Sequence, residues 1–126
     1  MTASKLLTFE LLFHANLALM LLTTPNLAIK IIGWPPSAST FWPRMLGGIL
    51  AGIALATLTT LMGWSKDGTS AGIGLAAEVV INLTMAFVLF SMLFLGPDPP
   101  TFRGKIFSGV LAGFLVLLAL VEIAYV

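Results

Sequence analysis

Apolar residues fill four long runs of this chain, and helix-breaking or polar residues collect between them. The runs predict helices over about 6–24, 44–62, 71–95 and 105–125. At about 1.5 Å per residue, each can cross a hydrocarbon core of ~30 Å. Pro25 closes the first run, because proline disfavours helical geometry in the residue before it. The segment 26–34 is apolar but too short to span. It is expected to lie along the interface, with Trp34 at headgroup depth and Lys30 reaching water. Pro43 suits the first turn of the second helix, where its missing N–H costs nothing. Trp64 then reads as the far-side anchor and residues 65–70 as a turn. The third run, starting at Ala71, is long enough to require tilt, a kink or protrusion. A proline-rich break from Gly96 precedes the fourth, which ends near Tyr125.

The pattern repeats. Phe41 to Gly52 and Phe102 to Gly113 both read Phe-x-x-(Arg/Lys)-x-x-(Gly/Ser)-Gly-(Ile/Val)-Leu-Ala-Gly, 61 residues apart. The expected fold is therefore all-α: an integral membrane four-helix bundle made of two parallel-repeated helical hairpins in a single domain, residues 1–126. Gly48-x-x-x-Gly52 and Gly109-x-x-x-Gly113 form stripes of small residues. These are expected to pack helices, within the bundle or against a partner, by close backbone approach.

Composition supports a bilayer as the solvent. The chain is 59% hydrophobic and 9% charged, with a mean hydropathy of +1.08, where a soluble domain carries roughly 25% charged residues. A net charge of +1 gives no footprint for nucleic acid. With no cysteine, thiol catalysis and cysteine metal sites are excluded. The run from Leu6 is longer than a signal-peptide core of roughly 7–15 residues, so a retained helix is expected. Lys30, Arg44, Arg103 and Lys105 fall opposite the termini, against Lys5 and Lys66 on the termini's side. That asymmetry places both termini on the non-cytoplasmic side. Arg44, Arg103 and Lys105 then contact lipid headgroups or another anion.

The candidate chemistry lies on polar residues within the apolar runs. Glu10, Glu78 and Glu122 are in spans, and His14 is one turn from Glu10 on the same helix face. Helical rise puts Glu10 and Glu122 roughly 6 Å, Glu78 roughly 10 Å and His14 roughly 12 Å from the termini's side, all in one half of the bilayer. Asn82 follows one turn deeper than Glu78. A charged group at such depth costs at least ~2.5–3.5 kcal/mol, which marks these residues as a functional candidate. The functional reading is a polar cavity open to the termini's side, taking a cation, a proton or a polar small molecule. The structural reading leaves Glu10 and Glu122 reaching the interface and Glu78 with Asn82 as an inter-helix pair. His14 with Glu10 is also a candidate for metal, haem or pigment ligation, although one histidine excludes bis-histidine haem within a chain. Under the 61-residue offset the counterpart of Glu78 is Leu17, so these polar positions fall outside the repeat.

The first span, the apolar segment after Pro25 and the entry Phe41-Trp-Pro-Arg-Met-Leu-Gly-Gly48 together resemble small DoxX-like four-helix membrane proteins, over residues 6–56. That resemblance implies a membrane subunit or partner of an oxidoreductase. Phe41-Trp-Pro-Arg44 followed by Leu46-Gly47 is also similar to the small membrane subunit of tripartite tricarboxylate transporters, without the long loop of that group. Neither supplies catalytic residues. No phosphate loop, catalytic triad or zinc-helix motif is present. The first expectation is a non-catalytic subunit or assembly factor of a larger membrane complex. It would join other membrane subunits or itself through its glycine faces, with no cofactor indicated. The alternatives are a small ion- or proton-coupled carrier using the carboxylates, and a redox- or pigment-associated protein with His14 as ligand.

Overall fold

A computed structural model describes residues 2–36, 38–63, 73–95 and 101–126. All regular structure among them is helical: α1 (Ala3–Thr23), α2 (Pro25–Ile32), α3 (Phe41–Leu61), α4 (Leu75–Leu95) and α5 (Phe102–Ile123). Four of these helices, α1, α3, α4 and α5, are long and apolar enough to cross a membrane. Trp64, the turn over 65–70, the start of the third run at Ala71 and the break from Gly96 to Pro100 lie outside the described residues.

The boundaries follow local chemistry. Thr24 separates α1 from α2, and Pro25 opens α2 where no N–H is needed. Gly33 ends α2 with φ +83°, a left-handed conformation suited to glycine at a helix C-terminus. Pro43 lies in the first turn of α3 as expected. α4 is shorter than the third apolar run: Ile73 and Gly74 precede it, and the Gly74 carbonyl accepts from the N–H groups of Ala77 and Glu78. Its 21 residues need no special accommodation, at about 1.5 Å each, in a core of ~30 Å. Thr101 caps α5, its Oγ1 accepting from the Gly104 N–H at 3.2 Å.

α1 packs along α3 and α4 along α5, while α2 touches both α1 and α5. Leu6 and Leu7 at the start of α1, Leu75 at the start of α4, Leu118 on α5 and Leu61 at the end of α3 form one apolar cluster. The starts of α1 and α4 thus meet the ends of α3 and α5, and this end of the bundle carries both chain termini. Buried positions repeat every three or four residues, as in left-handed helix packing. On α1 they include Leu7, Glu10, His14, Ala18 and Leu21. On α4 they are Leu75, Glu78, Asn82, Ala86 and Leu89, each 68 residues further on. On α3 and α5 the 61-residue offset pairs buried Pro43 with Gly104, Gly47 with Ser108, Ala54 with Leu115 and Thr57 with Leu118.

The expectation that Glu78 has Leu17 as its counterpart is therefore corrected. In the register of buried positions Glu78 aligns with Glu10, because buried Leu21 and Pro43 are 22 residues apart where buried Leu89 and Gly104 are 15 apart, a difference of seven.

The helix-packing role expected of Gly48, Gly52, Gly109 and Gly113 is also corrected within the chain. Among the described residues, a Cβ at Gly48, Gly52 or Gly113 would meet nothing within 4 Å, and one at Gly109 only the tip of Leu93 at 3.9 Å. The close approach is made one residue earlier, at Gly47. A Cβ there would come within 3.0 Å of Leu21 and Leu22 side-chain carbons and 3.2 Å of the Ala18 carbonyl oxygen. The seam spacing of α3 turns Gly47 inward and leaves Gly48 and Gly52 on the outer face.

Candidate functional site

All four long helices send a polar side chain into one place near the termini end of the bundle. Glu10 and His14 come from α1, Thr57 from α3, Glu78 and Asn82 from α4, and Glu122 from α5; every one is fully buried. The sequence depths are thus joined by a common direction. Each of these residues occupies the inward seam of its helix, and the helical repeat of four puts Glu10 under His14 and Glu78 under Asn82.

Two hydrogen-bond donors organise the carboxylates. The Asn82 amide donates to Glu10 Oε1 at 2.9 Å and to Glu122 Oε2 at 3.1 Å. The Thr57 hydroxyl is 2.6 Å from Glu78 Oε1 and 3.0 Å from the Ile53 carbonyl, and its single proton serves the nearer acceptor. The free oxygens of Glu10 and Glu78 then turn toward the histidine. His14 Nδ1 is 3.5 Å from Glu10 Oε2 and 3.9 Å from Glu78 Oε2. One ligand atom from each of Glu10, His14 and Glu78 lies within 4.8 Å of the others. Glu10 Oε2, Glu78 Oε2, both His14 ring nitrogens, Asn82 Oδ1 and Glu122 Oε1 are buried with no hydrogen-bond partner among the described residues.

Among the described residues, three carboxyl groups, one imidazole and no lysine or arginine thus share a water-excluded volume. Leaving a buried polar group unsatisfied costs about 1–3 kcal/mol, and an uncompensated buried charge costs more. The arrangement is suited to a positive charge and to nothing anionic. Two expectations change here. Glu10 and Glu122 do not reach outward to an interface but turn into the bundle. The cavity expected to open toward the termini is closed, with Leu6, Leu7 and Leu75 packed one turn nearer that end. His14 lies edge-on to Phe13, with ring centroids 5.5 Å apart. It lines neither the apolar cavity of about 380 Å³ between the helices nor the groove of about 800 Å³ at the far end. A haem or pigment beside His14 therefore has no cavity to occupy among those described.

The opposite end of the bundle is basic. Lys30 and Arg103 line the larger groove together with Asn26, Gly33 and Thr101. Arg44 and Lys105 are exposed on the first turns of α3 and α5 and do not line it. Trp34 is anchored to α5. Its indole N–H donates to Ser108 Oγ at 2.9 Å, and its ring packs against the cluster of Ala86, Leu89, Ala112 and Leu115. The Thr101 hydroxyl donates to the Gly33 carbonyl. The short helix is thereby fastened to α5 rather than lying free along a surface.

Thr57 is the site residue missed in the sequence. A threonine in an apolar helix commonly bonds its own i−4 carbonyl and so carries no signal by type. Its position ten residues after the inward Gly47 was the available clue. Comparison with protein-family models, curated proteins and solved structures gives no match.

Proposed function

We propose that this is a small multi-pass membrane protein that carries a cation, taken up at a buried acidic site near the end bearing both termini. Glu10, Glu78 and Glu122 hold the charge, His14 faces two of them, and Asn82 and Thr57 orient them. One observation carries the reading: three buried carboxyl groups converge from three helices, with no basic side chain beside them among the described residues. In a membrane, ionisable groups facing a bundle interior mark ion and proton paths. Uptake requires the leucine layer of Leu6, Leu7 and Leu75 to part, so the described arrangement is the closed state of the carrier.

The matching seams of α1 with α4 and of α3 with α5 support a duplicated hairpin as the origin of the site, with Glu10 and Glu78 as equivalent carboxylates. The test is cation-driven flux into vesicles holding the purified chain and a trapped pH- or metal-sensitive dye. Flux above that of protein-free vesicles, lost in Glu78→Gln and kept in Gly48→Ala, is expected. Wild-type vesicles indistinguishable from protein-free ones contradict it.

A second reading has its own observation. Gly48 and Gly52 leave an open small-residue stripe on the outer face of α3, which suits a partner helix or a second copy. This supports the role of a subunit in a larger membrane complex, and it is compatible with a cation site inside.

A further inference from the structure

We infer that the cation is a divalent first-row transition metal, of the manganese, iron or zinc kind, held by Glu10 Oε2, Glu78 Oε2 and His14 Nδ1. This inference rests on the cation-binding reading of the cluster and goes beyond it by choosing a metal over a proton.

The choice comes from distances. A proton shared between a carboxyl group and an imidazole draws the two heavy atoms to about 2.7–2.9 Å. The separations here are 3.5 and 3.9 Å, too long for a proton shared between His14 and either carboxyl group. They suit two ligands of one ion. With metal–ligand bonds of roughly 2.0–2.2 Å, two ligands on a single ion lie no more than about 4.4 Å apart. One ligand atom from each of the three residues lies within 4.8 Å of the others, so the cluster closes onto an ion by small side-chain shifts.

Orientation supports the same assignment. Ligating carboxylates are normally held through their second oxygen. Here Glu10 Oε1 is held by Asn82 and Glu78 Oε1 by Thr57, which leaves each Oε2 for the ion. Charge agrees as well. Two carboxylates and a neutral imidazole balance a doubly charged ion, so the buried volume carries no net charge from them. Glu122 Oε1 and Asn82 Oδ1 are further oxygen donors without hydrogen-bond partners in the same cluster.

The donor types set the class. A site of oxygens with one imidazole and no sulfur disfavours copper(I). The imidazole disfavours magnesium and calcium, which take all-oxygen shells.

The experiment is equilibrium dialysis of the full chain in lipid nanodiscs against Mn²⁺, Zn²⁺, Mg²⁺ and Ca²⁺, with metal measured by mass spectrometry. One Mn²⁺ or Zn²⁺ per chain is expected, with Mg²⁺ and Ca²⁺ bound at least 100-fold more weakly. His14→Asn and Glu78→Gln should each weaken Mn²⁺ or Zn²⁺ by 100-fold or more. Thr57→Val, which removes no ligand, should weaken it 10- to 100-fold while circular dichroism shows all three variants folded. Absence of saturable binding, or affinity unchanged in His14→Asn and Glu78→Gln, overturns the metal. If metal binding fails while the vesicles show proton flux dependent on Glu78, only the metal assignment falls. If both fail, the cation-binding reading falls with it.

Discussion

α1 and α4 bury the same spacing of positions and spell it almost alike, yet they differ where the chemistry is. Leu7, Glu10, Ala18 and Leu21 have Leu75, Glu78, Ala86 and Leu89 as counterparts, all buried. Between them His14 stands opposite Asn82. The asparagine amide has two N–H groups, and it spends both on carboxylates, Glu10 and Glu122. The histidine instead presents a ring nitrogen to two carboxylate oxygens without a hydrogen bond to either. One position in two similar helices thus supplies an orienting donor on one side and a candidate ligand on the other.

The largest effect should come from erasing that difference. His14→Asn gives α1 the lettering of α4, and metal affinity should fall on the order of 100-fold or more, beyond the 10–100-fold typical of losing an outer partner. Helical content should be unchanged in the same sample. A variant that keeps wild-type affinity would place the cation elsewhere. Removing an orienting donor should matter less. Thr57→Val keeps the shape of the side chain and frees Glu78 Oε1, so affinity should drop roughly 10–100-fold with the stoichiometry retained.

The next two outcomes concern packing. Gly47→Leu drives a side chain into α1 and should lower stability by about 1–3 kcal/mol, read as a lower midpoint of denaturation in detergent. Gly48→Leu points into open space and should stay within about 0.5 kcal/mol as an isolated chain. If the two variants behave alike, the helix face assigned to the α1–α3 contact is wrong. Ser108→Ala takes the acceptor from the Trp34 indole and should cost about 1 kcal/mol, at or below the low end expected for Gly47→Leu. It should also shift tryptophan fluorescence without touching metal binding.

The spans and the gathering of polar residues were legible in the sequence, because apolar run length and helical rise are one-dimensional quantities. Glu10, His14, Glu78, Asn82 and Glu122 were assigned to one half of the bundle on that basis, and they meet there. Which face of each helix turns inward was harder to read. In a soluble helix polar residues mark the outside, but here both faces are apolar, and only the polar seam positions break the tie. Gly47 and Gly48 are adjacent small residues, and the GxxxG spacing drew attention to the outer one. The shared spacing of buried positions on α1 and α4 was hidden by the longer segment joining α1 to α3, since aligning on the glycine motif paired Glu78 with Leu17. Trp34 shows the same limit, for an interfacial tryptophan and one bonded to Ser108 have the same local sequence.

The most direct test of the account is pulsed electron paramagnetic resonance of Mn²⁺ bound to the full chain in nanodiscs. The account predicts hyperfine coupling to one directly bound nitrogen, lost in His14→Asn. A spectrum of fully hydrated Mn²⁺ without nitrogen coupling, or a coupling that survives His14→Asn, would contradict it.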